Sequence, residues 1–349
     1  MTTALWIVAG LLAALVAWAV TASVRRWGER HLLDVPNDRS SHTRPTPRGG
    51  GVGIVAAVVL GWGALAFAIP DVRVWPLATA ALLIAAVSLL DDVRTIGSGL
   101  RFGVHTAAAS LALWGYGVSA LLALPGMTLA LPALLAGALL LFWCVGLTNV
   151  YNFMDGIDGI AGGQAVVAGV AWALAGVWLD APLVAVTGAA VAAGSIGFLM
   201  HNWPPARIFL GDVGSAFLGF VFAGLVVAAS AAAPAPVAAR VPLAALLFVW
   251  PFAFDAAFTM ARRARRGENL LEAHRSHLYQ RQVIAGRSHA ATSTLYTGLA
   301  TISAVAGLLW LRGAYAAGIV ALVVLAAVAA VLVVSTARCE RSADDLTLR

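Results

Sequence analysis

Carboxylate side chains recur in the sequence beside glycine and asparagine. The stretch "SLLDDVRTIG" contains Asp91 and Asp92, "NVYNFMDGIDGIAGG" contains Asp155 and Asp158, and "HNWPPARIFLGDVGS" contains Asp212. Adjacent carboxylates repel each other unless a cation or strong hydrogen-bond donors lie between them. Mg²⁺ prefers oxygen ligands and is usually held by one or two carboxylates together with substrate phosphates and water. These acids therefore indicate a magnesium site, and the simpler alternative for each pair is a solvated helix end or a polar turn.

Asparagine and arginine side chains accompany these acids. The carbonyl oxygens of Asn149 and Asn152 could bind a cation without adding negative charge. Arg101 and Arg275 could bind phosphate oxygens, and acids for a metal combined with arginines for phosphate are typical of phosphoryl transfer. The basic run at 262–266 follows an apolar segment, so a topology signal is its simpler explanation.

Two histidines, His274 and His277, lie one helical turn apart in "EAHRSHLYQR". A zinc site would need further ligands, and neither a cysteine nor an H-E-x-x-H pattern supplies them. Hydrogen bonding to a nucleotide or phosphate is therefore favoured. The glycine run "RGGGVG" at 48–53 lacks the Lys-Ser/Thr of a phosphate-binding loop and predicts a tight helix entry. Cys144 and Cys339 indicate neither a disulfide framework nor a metal site.

The elements that must position these residues are membrane helices. The chain has 349 residues, of which 61% are hydrophobic and 11% charged, whereas about a quarter of the residues in a soluble domain are charged. A helix needs about 20 mostly apolar residues to cross a bilayer, and it satisfies its own backbone hydrogen bonds there. We therefore predict an all-α polytopic membrane protein with a single domain, residues 1–349. The eleven predicted spans are 4–24, 50–69, 74–90, 102–123, 129–147, 160–178, 181–199, 213–232, 239–259, 291–311 and 314–334.

The arginines predict the orientation of these helices. All 22 basic residues are arginine. If successive loops lie on opposite sides of the membrane, only Arg73, Arg240 and Arg312 lie on one side. The other 19 lie on the opposite side, which the positive-inside rule identifies as cytoplasmic. Arg25 and Arg26 follow the first span and no basic residue precedes it, which is typical of an anchor rather than a signal peptide. The predicted N-terminus is outside, the C-terminus is cytoplasmic, and the basic charge serves topology and anionic lipids rather than nucleic-acid binding.

The candidate chemistry falls on one face of this topology. Of the 16 acidic residues, only Asp71 and Asp180 are predicted to lie outside. A site that borders the bilayer could take a lipid as one substrate. A secondary transporter is the main alternative from another class, but transporters place ionisable residues near the bilayer midplane and in duplicated halves. The interior loops expected to form the active site are 25–49, 91–101, 148–159, 200–212 and 260–290.

Five motifs in these loops together resemble a known enzyme family. They are "DVPNDRSSHTRPTPRGGG" at 34–51, "LLDDV" at 89–93, "TNVYNFMDGIDGIAGG" at 148–163, "PARIFLGDVGSAFLG" at 205–219 and "AHRSHLYQR" at 273–281. The chain resembles the polyprenyl-phosphate N-acetylhexosamine-1-phosphate transferases, glycosyltransferase family 4. The resemblance implies a multi-pass enzyme of the bacterial inner membrane, with its active site on the cytoplasmic face. Such an enzyme moves a sugar phosphate from a UDP-N-acetylhexosamine to undecaprenyl phosphate and releases UMP.

Two of the motifs favour one branch of that family. "RSSHTRPTPRGGG" and "HRSHLYQR" look most like the bacterial branch that begins O-antigen or related surface-polysaccharide synthesis. The alternative is the phospho-N-acetylmuramoyl-pentapeptide transferases of peptidoglycan synthesis, which typically have three consecutive histidines where this chain reads "HLYQ" at 277–280. A lysine that some relatives carry after the aspartate pair is absent, and Arg101 is its expected replacement.

The resemblance also implies roles for individual residues. Asp212 would be the principal ligand of Mg²⁺, with Asn152 as the second ligand and Mn²⁺ as an alternative ion. The implied catalytic residues are Asp91, Asp92, Asp155, Asp158 and His277. The implied substrate-binding residues are Asn149, Arg101, Asp255, His274, Arg275 and Arg281. The expected partners are the UDP-sugar, undecaprenyl phosphate, membrane lipids and a second copy of the chain as a homodimer.

Two mechanisms are compatible with these residues. A phosphate monoester has a second pKa of about 6, so a lipid phosphate is largely dianionic at neutral pH and does not require a strong general base. Direct attack of its oxygen on the β-phosphorus of the UDP-sugar is therefore favoured. A covalent aspartyl-phosphate intermediate is the alternative that the sequence leaves open.

Overall fold

The computed structural model describes residues 3–36, 44–270, 272, 274–313 and 316–347. Part of the first family motif, residues 37–43, lies outside the described residues, as does Arg39 within it. Helices dominate the described chain. They are α1 Thr3–His31, α2 Val52–Ala68, α3 Trp75–Val93, α4 Ser98–Tyr116, α5 Ala133–Phe153, α6 Ile160–Trp178, α7 Pro182–Asn202, α8 Asp212–Ala232, α9 Ala235–Ala238, α10 Val241–Phe248, α11 Trp250–Arg265, α12 Leu278–Ile284, α13 His289–Arg312 and α14 Ala317–Thr347. Two small antiparallel hairpins pair β1 Leu33–Asp34 with β2 Thr46–Pro47 and β3 Leu121–Leu124 with β4 Met127–Ala130.

The helices confirm an all-α polytopic membrane protein. In the described part of the chain, eight helices are long and apolar enough to cross a membrane, and a bent pair raises this number to nine. Helix α2, with 17 residues, is shorter, and α4 is not among the eight. Each of the eleven predicted spans overlaps a helix. The count of eleven and the orientation stay predictions.

Three predicted boundaries were wrong for identifiable reasons. The ninth span is broken at Val249, where the segments 235–248 and 250–265 meet at 74°. Pro251 lies in the first turn after this break, and proline neither donates the helical hydrogen bond nor tolerates a helical residue before it. The fourth helix ends at Tyr116 because Gly117 has a φ of +86°. Helix α5 continues to Phe153, so Asn149 and Asn152 lie on its last turns rather than in a loop.

Helix α8 forms the centre of the bundle and is buried along its length. It packs against α3 and α5. At the start of α8, the backbone of Gly214 approaches Gly51 so closely that a Cβ on either glycine would overlap the other. This contact confirms the tight helix entry predicted from the glycine run.

The connections between helices alternate between two ends of the bundle. At one end, Gly50 N donates to Phe209 O at 2.9 Å and Phe209 N donates to Pro47 O at 2.8 Å. We call this end, with residues 32–36, 44–51, 94–97, 154–159, 203–211, 266–270, 272 and 274–288, the arginine-rich face. At the opposite end, Ala123 N donates to Ala239 O at 2.7 Å and the Arg312 guanidinium lies 4.0 Å from the Trp178 ring centroid. The described parts of the five predicted interior loops lie at the arginine-rich end of the bundle, and their assignment to the cytoplasm stays a prediction.

Candidate active site

Asp92 stabilises the first turn of α8. It lies at the end of α3 and its side chain is 2% exposed. Its carboxylate accepts hydrogen bonds from the backbone N–H groups of Asp212 and Val213, both at 3.0 Å. A negative charge is favourable at a helix N-terminus because the first N–H groups have no helical partner. Asp92 therefore holds Asp212 in place through the backbone of α8. Arg48 contacts the backbone of Asp92, because its Nη2 donates to the Asp92 carbonyl oxygen at 2.5 Å.

Asp91 has a different environment from its neighbour. One carboxylate oxygen accepts a hydrogen bond from Ile96 N at 2.6 Å, and the other lies 2.5 Å from Arg101 Nη1. The same Nη1 atom is 3.4 Å from a carboxylate oxygen of Asp212. Arg101 thus bridges two acids that are 121 positions apart in the chain. The adjacent carboxylates of the pair are separated because each has its own donors.

Asp212 is the acid most open to a ligand. Its side chain is 37% exposed, in contrast to 8% for Asp91 and 2% for Asp92. The amide of Asn152 donates to Asp212 Oδ1 at 2.9 Å and to the Ser215 hydroxyl at the same distance. The predicted ligands Asp212 and Asn152 are therefore adjacent in the fold.

These side chains fit a hard divalent cation. They offer carboxylate and amide oxygens, and Mg²⁺ usually takes few protein ligands because substrate phosphates and water complete its shell. Among the described residues, no group of three or more His, Cys, Asp or Glu side chains forms a metal-holding cluster. A site that depended on protein ligands alone is therefore not formed there, and Asp212 with Asn152 would hold Mg²⁺ together with a phosphate-bearing substrate.

The loop between α5 and α6 presents Asp155 and fixes Asp158. Gly159 has a φ of +77°, which suits glycine, and its N–H donates to Asn202 Oδ1 at 2.9 Å. Asp158 accepts a hydrogen bond from Ala206 N at 3.0 Å and lies 3.3 Å from His289 Nδ1. Burial, together with the charges of Asp212, Asp92 and Asp158, raises the pKa of Asp155 to about 8. An uncompensated excess of negative charge is expected where a cation or cationic group binds.

Two cavities open beside these residues. The smaller, of about 280 Å³, has a polar wall that includes Asp92, Asp155, Asp158 and His289. The larger, of about 760 Å³, has a more apolar wall. Its lining includes Arg101, Phe102, His105, Asn149, Phe153, Met260, His274 and His277. Asn152, Asp212 and Gln280 line both cavities.

The two histidines of the 273–281 motif border the larger cavity and not the smaller one. His274 and His277 line the larger cavity, and their ring centroids are 5.0 Å apart. Burial, followed by the charges of His277 and Arg263, lowers the pKa of His274 to about 4. His274 is therefore neutral at physiological pH and suits hydrogen bonding rather than charge pairing with a phosphate.

Three of the implied substrate-binding residues do not line either cavity. Asp255 is fully buried, and neither it nor Arg275 nor Arg281 contributes to either cavity wall. The Arg281 guanidinium forms a bidentate pair with Glu340 on α14, at 2.7 and 2.6 Å. The geometry therefore gives no support to direct substrate contact by these three residues.

Four residues of the site were not anticipated. They are Arg48, Ser215, Gln280 and His289. Gln280 and Ser215 belong to the family motifs, and Arg48 begins the glycine run. His289 follows Ser288, whose hydroxyl accepts from Ala291 N as the cap of α13. A Ser before an apolar run could have placed His289 at the start of a helix, but nothing local indicates its contact with Asp158.

Comparisons with known proteins identify the family to which the chain is similar. The model of the family "Glycosyl transferase family 4" matches residues 74–230. A Mycobacterium tuberculosis (strain CDC 1551 / Oshkosh) protein named "Decaprenyl-phosphate N-acetylglucosaminephosphotransferase" is 32% identical over 316 residues, 80% of this chain and 76% of its own length. A Bacillus subtilis (strain 168) protein named "Probable undecaprenyl-phosphate N-acetylglucosaminyl 1-phosphate transferase" is 28% identical over 286 residues, covering 81% of this chain and 78% of its own length.

A second type of relative matches a shorter part of the chain. A Synechococcus elongatus (strain ATCC 33912 / PCC 7942 / FACHB-805) protein named "Phospho-N-acetylmuramoyl-pentapeptide-transferase" is 37% identical over 205 residues, which cover 53% of this chain and 54% of its own length. The first type matches about four fifths of the chain. With its all-α membrane fold and acidic site, the chain belongs to the polyprenyl-phosphate N-acetylhexosamine-1-phosphate transferases, glycosyltransferase family 4.

Proposed function

We propose that this enzyme transfers an N-acetylhexosamine 1-phosphate from a UDP-sugar to undecaprenyl phosphate, in the first membrane step of O-antigen or related surface-polysaccharide synthesis. N-Acetylglucosamine is the first donor to test, because the relatives that cover most of the chain carry that sugar in their names. The active site would be on the cytoplasmic face of the bacterial inner membrane, where the UDP-sugar is available.

The observation that carries this proposal is the shared wall of the two cavities. Asp212 and Asn152 line both cavities, so a group bound between them could meet ligands from either side. The larger cavity has the apolar residues Phe102, Phe153 and Met260, which suit the lipid acceptor. The smaller polar cavity suits the nucleotide-sugar. Two cavities that meet at one carboxylate favour direct transfer between two bound substrates over a covalent intermediate.

The chemistry balances without a strong general base. An oxygen of the lipid phosphate forms a bond to the β-phosphorus of the UDP-sugar, the bond from this phosphorus to the α-phosphate oxygen breaks, and UMP leaves with that electron pair. Mg²⁺ held by Asp212 and Asn152 would supply charge neutralisation for the phosphates. Arg101 bridges Asp91 and Asp212 and would offer its remaining N–H groups to phosphate oxygens.

The test uses membranes that contain the full chain. They are incubated with Mg²⁺, undecaprenyl or decaprenyl phosphate, and a panel of UDP-N-acetylhexosamines that includes N-acetylglucosamine and 6-deoxy sugars. We expect UMP release together with a butanol-extractable lipid-diphosphate sugar. Asp212→Ala should abolish both products, whereas Asp71→Ala, which removes an exposed acid on the opposite face, should not. Absence of lipid product with every donor, or full activity after chelation of divalent ions, would refute the proposal.

A second candidate function is the transfer that begins peptidoglycan lipid synthesis. The observation that favours it is the 37% identity to a protein named for that activity, over about half of the chain. UDP-N-acetylmuramoyl-pentapeptide is therefore added to the donor panel. Product formation with this donor alone would replace the first proposal with the second.

A further inference from the structure

A carboxylate with no access to either cavity lies directly behind His277. Asp255, on α11, has an exposed fraction of 0%. Burying a charge is costly unless hydrogen bonds and opposite charges compensate for the lost water. A buried acid of this kind requires several hydrogen-bond donors. The helices that supply these donors are the parts of the fold that the carboxylate connects.

The backbone donors come from the beginning of α12. Leu278 N donates to Asp255 Oδ1 at 2.8 Å, and Tyr279 N donates to Asp255 Oδ2 at 3.1 Å. These are the first two N–H groups of α12, which have no partner within the helix. The carboxylate therefore anchors the start of α12 to α11, at the residue that follows His277.

Side-chain donors complete the carboxylate's environment. Tyr296 of α13 donates its hydroxyl at 2.6 Å, and Thr259, one turn further along α11, donates at 3.1 Å. His277 Nδ1 lies 3.2 Å from Asp255 Oδ1. Donors from α11, α12 and α13 thus converge on one acid, so that its removal would leave several buried groups without a partner.

The contact with His277 determines which ring nitrogen is available for a ligand. An Nδ1–H group that donates to a carboxylate leaves Nε2 as the free nitrogen and restricts the rotation of the ring. The His277 side chain is 3% exposed and lines the larger cavity, whose wall also includes Asn152 and Asp212. Its backbone N–H donates to the Gln280 side chain at 3.2 Å, and Gln280 lines both cavities.

A second contact joins α12 to the end of α5, which carries Asn152. The Tyr279 hydroxyl donates to the carbonyl oxygen of Phe153 at 3.0 Å. Phe153 ends α5 and directly follows Asn152. Displacement of α12 would therefore disturb both His277 and the helix end that carries Asn152.

We propose that Asp255 is a positioning residue for the transfer reaction, which acts by orienting the His277 ring and the start of α12 against the shared cavity wall. This proposal rests on the proposed function. Asp255 makes no contact with substrate. Its effect on turnover passes through His277, so the consequences of changing the two residues should not be independent.

The first measurement compares Asp255→Asn with the wild-type enzyme. Asparagine keeps the shape but replaces one acceptor oxygen by an NH₂ group that faces donors. We expect kcat/KM per folded protein to fall by about 10- to 100-fold, the loss that removal of an orienting partner generally causes. The matched control is Asp71→Asn, the same chemical change at an exposed acid on the opposite face, and it should retain wild-type kcat/KM.

The second measurement separates positioning from general structural support. The variants Asp255→Asn, His277→Ala and the double variant are compared at equal amounts of folded protein, established by thermal unfolding. If Asp255 acts through His277, its substitution in the His277→Ala background should change kcat/KM by less than about two-fold, whereas independent effects would multiply. Wild-type kcat/KM for Asp255→Asn, or full multiplication in the double variant, would overturn the proposal.

A third measurement does not depend on catalysis. Hydrogen–deuterium exchange of the peptide that covers residues 277–284 should be at least about ten-fold faster in Asp255→Asn, because each lost acceptor weakens the protection of α12. Unchanged exchange would overturn the proposal. If the wild-type enzyme forms no product with any donor, the proposed function fails, and this exchange experiment still decides whether Asp255 anchors α12.

Discussion

At the scale of single residues, neighbouring acids of the same type have different environments. Asp92 is almost fully buried and its carboxylate accepts from two backbone N–H groups of α8, whereas Asp91 forms an ion pair with Arg101. Asp212 is the exposed member of the group. The burial of each carboxylate, rather than its spacing in the chain, therefore distinguishes support of the fold from contact with a ligand.

Substitution of the adjacent pair should separate these two roles. Asp92→Ala leaves the backbone N–H groups of Asp212 and Val213, one part-buried and one buried, without their acceptor. This loss should lower the free energy of unfolding by about 1–3 kcal/mol and reduce activity. Asp91→Ala should reduce activity with a much smaller change in the unfolding midpoint, because Arg101 remains held by Asp212. Thermal unfolding in detergent and the UMP-release assay check this. Equal unfolding midpoints for the two variants would contradict the assignment.

The pKa of Asp155 predicts a pH dependence of the metal-free protein. Because burial and three neighbouring acids raise the folded-state pKa from 3.8 to about 8, the fold favours the protonated carboxyl. Its stabilising contribution is therefore complete below about pH 4 and is lost as the pH rises through about 8. We expect the unfolding midpoint in the presence of a chelator to fall between pH 6 and pH 9, and to fall less in Asp155→Asn. An equal fall in both proteins would exclude Asp155 as the cause.

At the scale of secondary structure, close packing of glycines brings the acidic helix ends together. Gly51, before α2, and Gly214, in the first turn of α8, are in backbone contact. This contact sets the position of α8, whose first residue is Asp212. The glycine run thus serves the site indirectly by allowing two helices to approach.

A single methyl group should disturb this approach. Gly51→Ala places a Cβ against the Gly214 backbone, and such overpacking typically costs about 1–3 kcal/mol. Gly63→Ala is the control because no atom lies within 4 Å of the position of its Cβ. We expect a lower unfolding midpoint and lower transferase activity for Gly51→Ala, and no loss for Gly63→Ala, where alanine favours the helix. An unchanged midpoint for Gly51→Ala would refute the importance of the contact.

At the scale of the whole molecule, the fold divides the connecting segments between two faces. Helix α14 has 31 residues and is therefore about 46 Å long, which exceeds a hydrocarbon core of about 30 Å. Its last turns extend past the core at the arginine-rich face, where Glu340 pairs with Arg281. The native Cys339 lies next to this pair and is partly exposed, while Cys144 is buried.

These two cysteines provide a test of orientation. A membrane-impermeant maleimide should label Cys339 in inverted vesicles but not in right-side-out vesicles, because the arginine-rich face is predicted to be cytoplasmic. Cys144 should remain unlabelled in both. A cysteine introduced as Asp71→Cys on the opposite face should show the reverse pattern. Labelling of Cys339 in right-side-out vesicles would overturn the predicted topology.

Much of the fold could be predicted because a membrane allows few solutions. Apolar runs of about 20 residues become helices that alternate in direction, so connecting segments separated by two helices fall on the same face. The segments that carry the acids have this spacing. The break at Val249 and the extension of α5 to Phe153 could not be read from hydropathy. The break is explained by Pro251 in the following turn, and the end of α5 packs against α8; a local apolar pattern describes neither.

The sequence by itself determined the class of fold, the face that carries the chemistry and the motifs that identify the family, because these follow from local composition and spacing. Only the tertiary structure decided which side chains meet. Asp92 accepts hydrogen bonds from the start of α8, and His289 contacts Asp158. Asp255 contacts His277, and Arg281 pairs with Glu340 and lines neither cavity. The physical reason is that each of these contacts joins separate elements, and burial of a charge is compensated by whatever donor the fold brings near it.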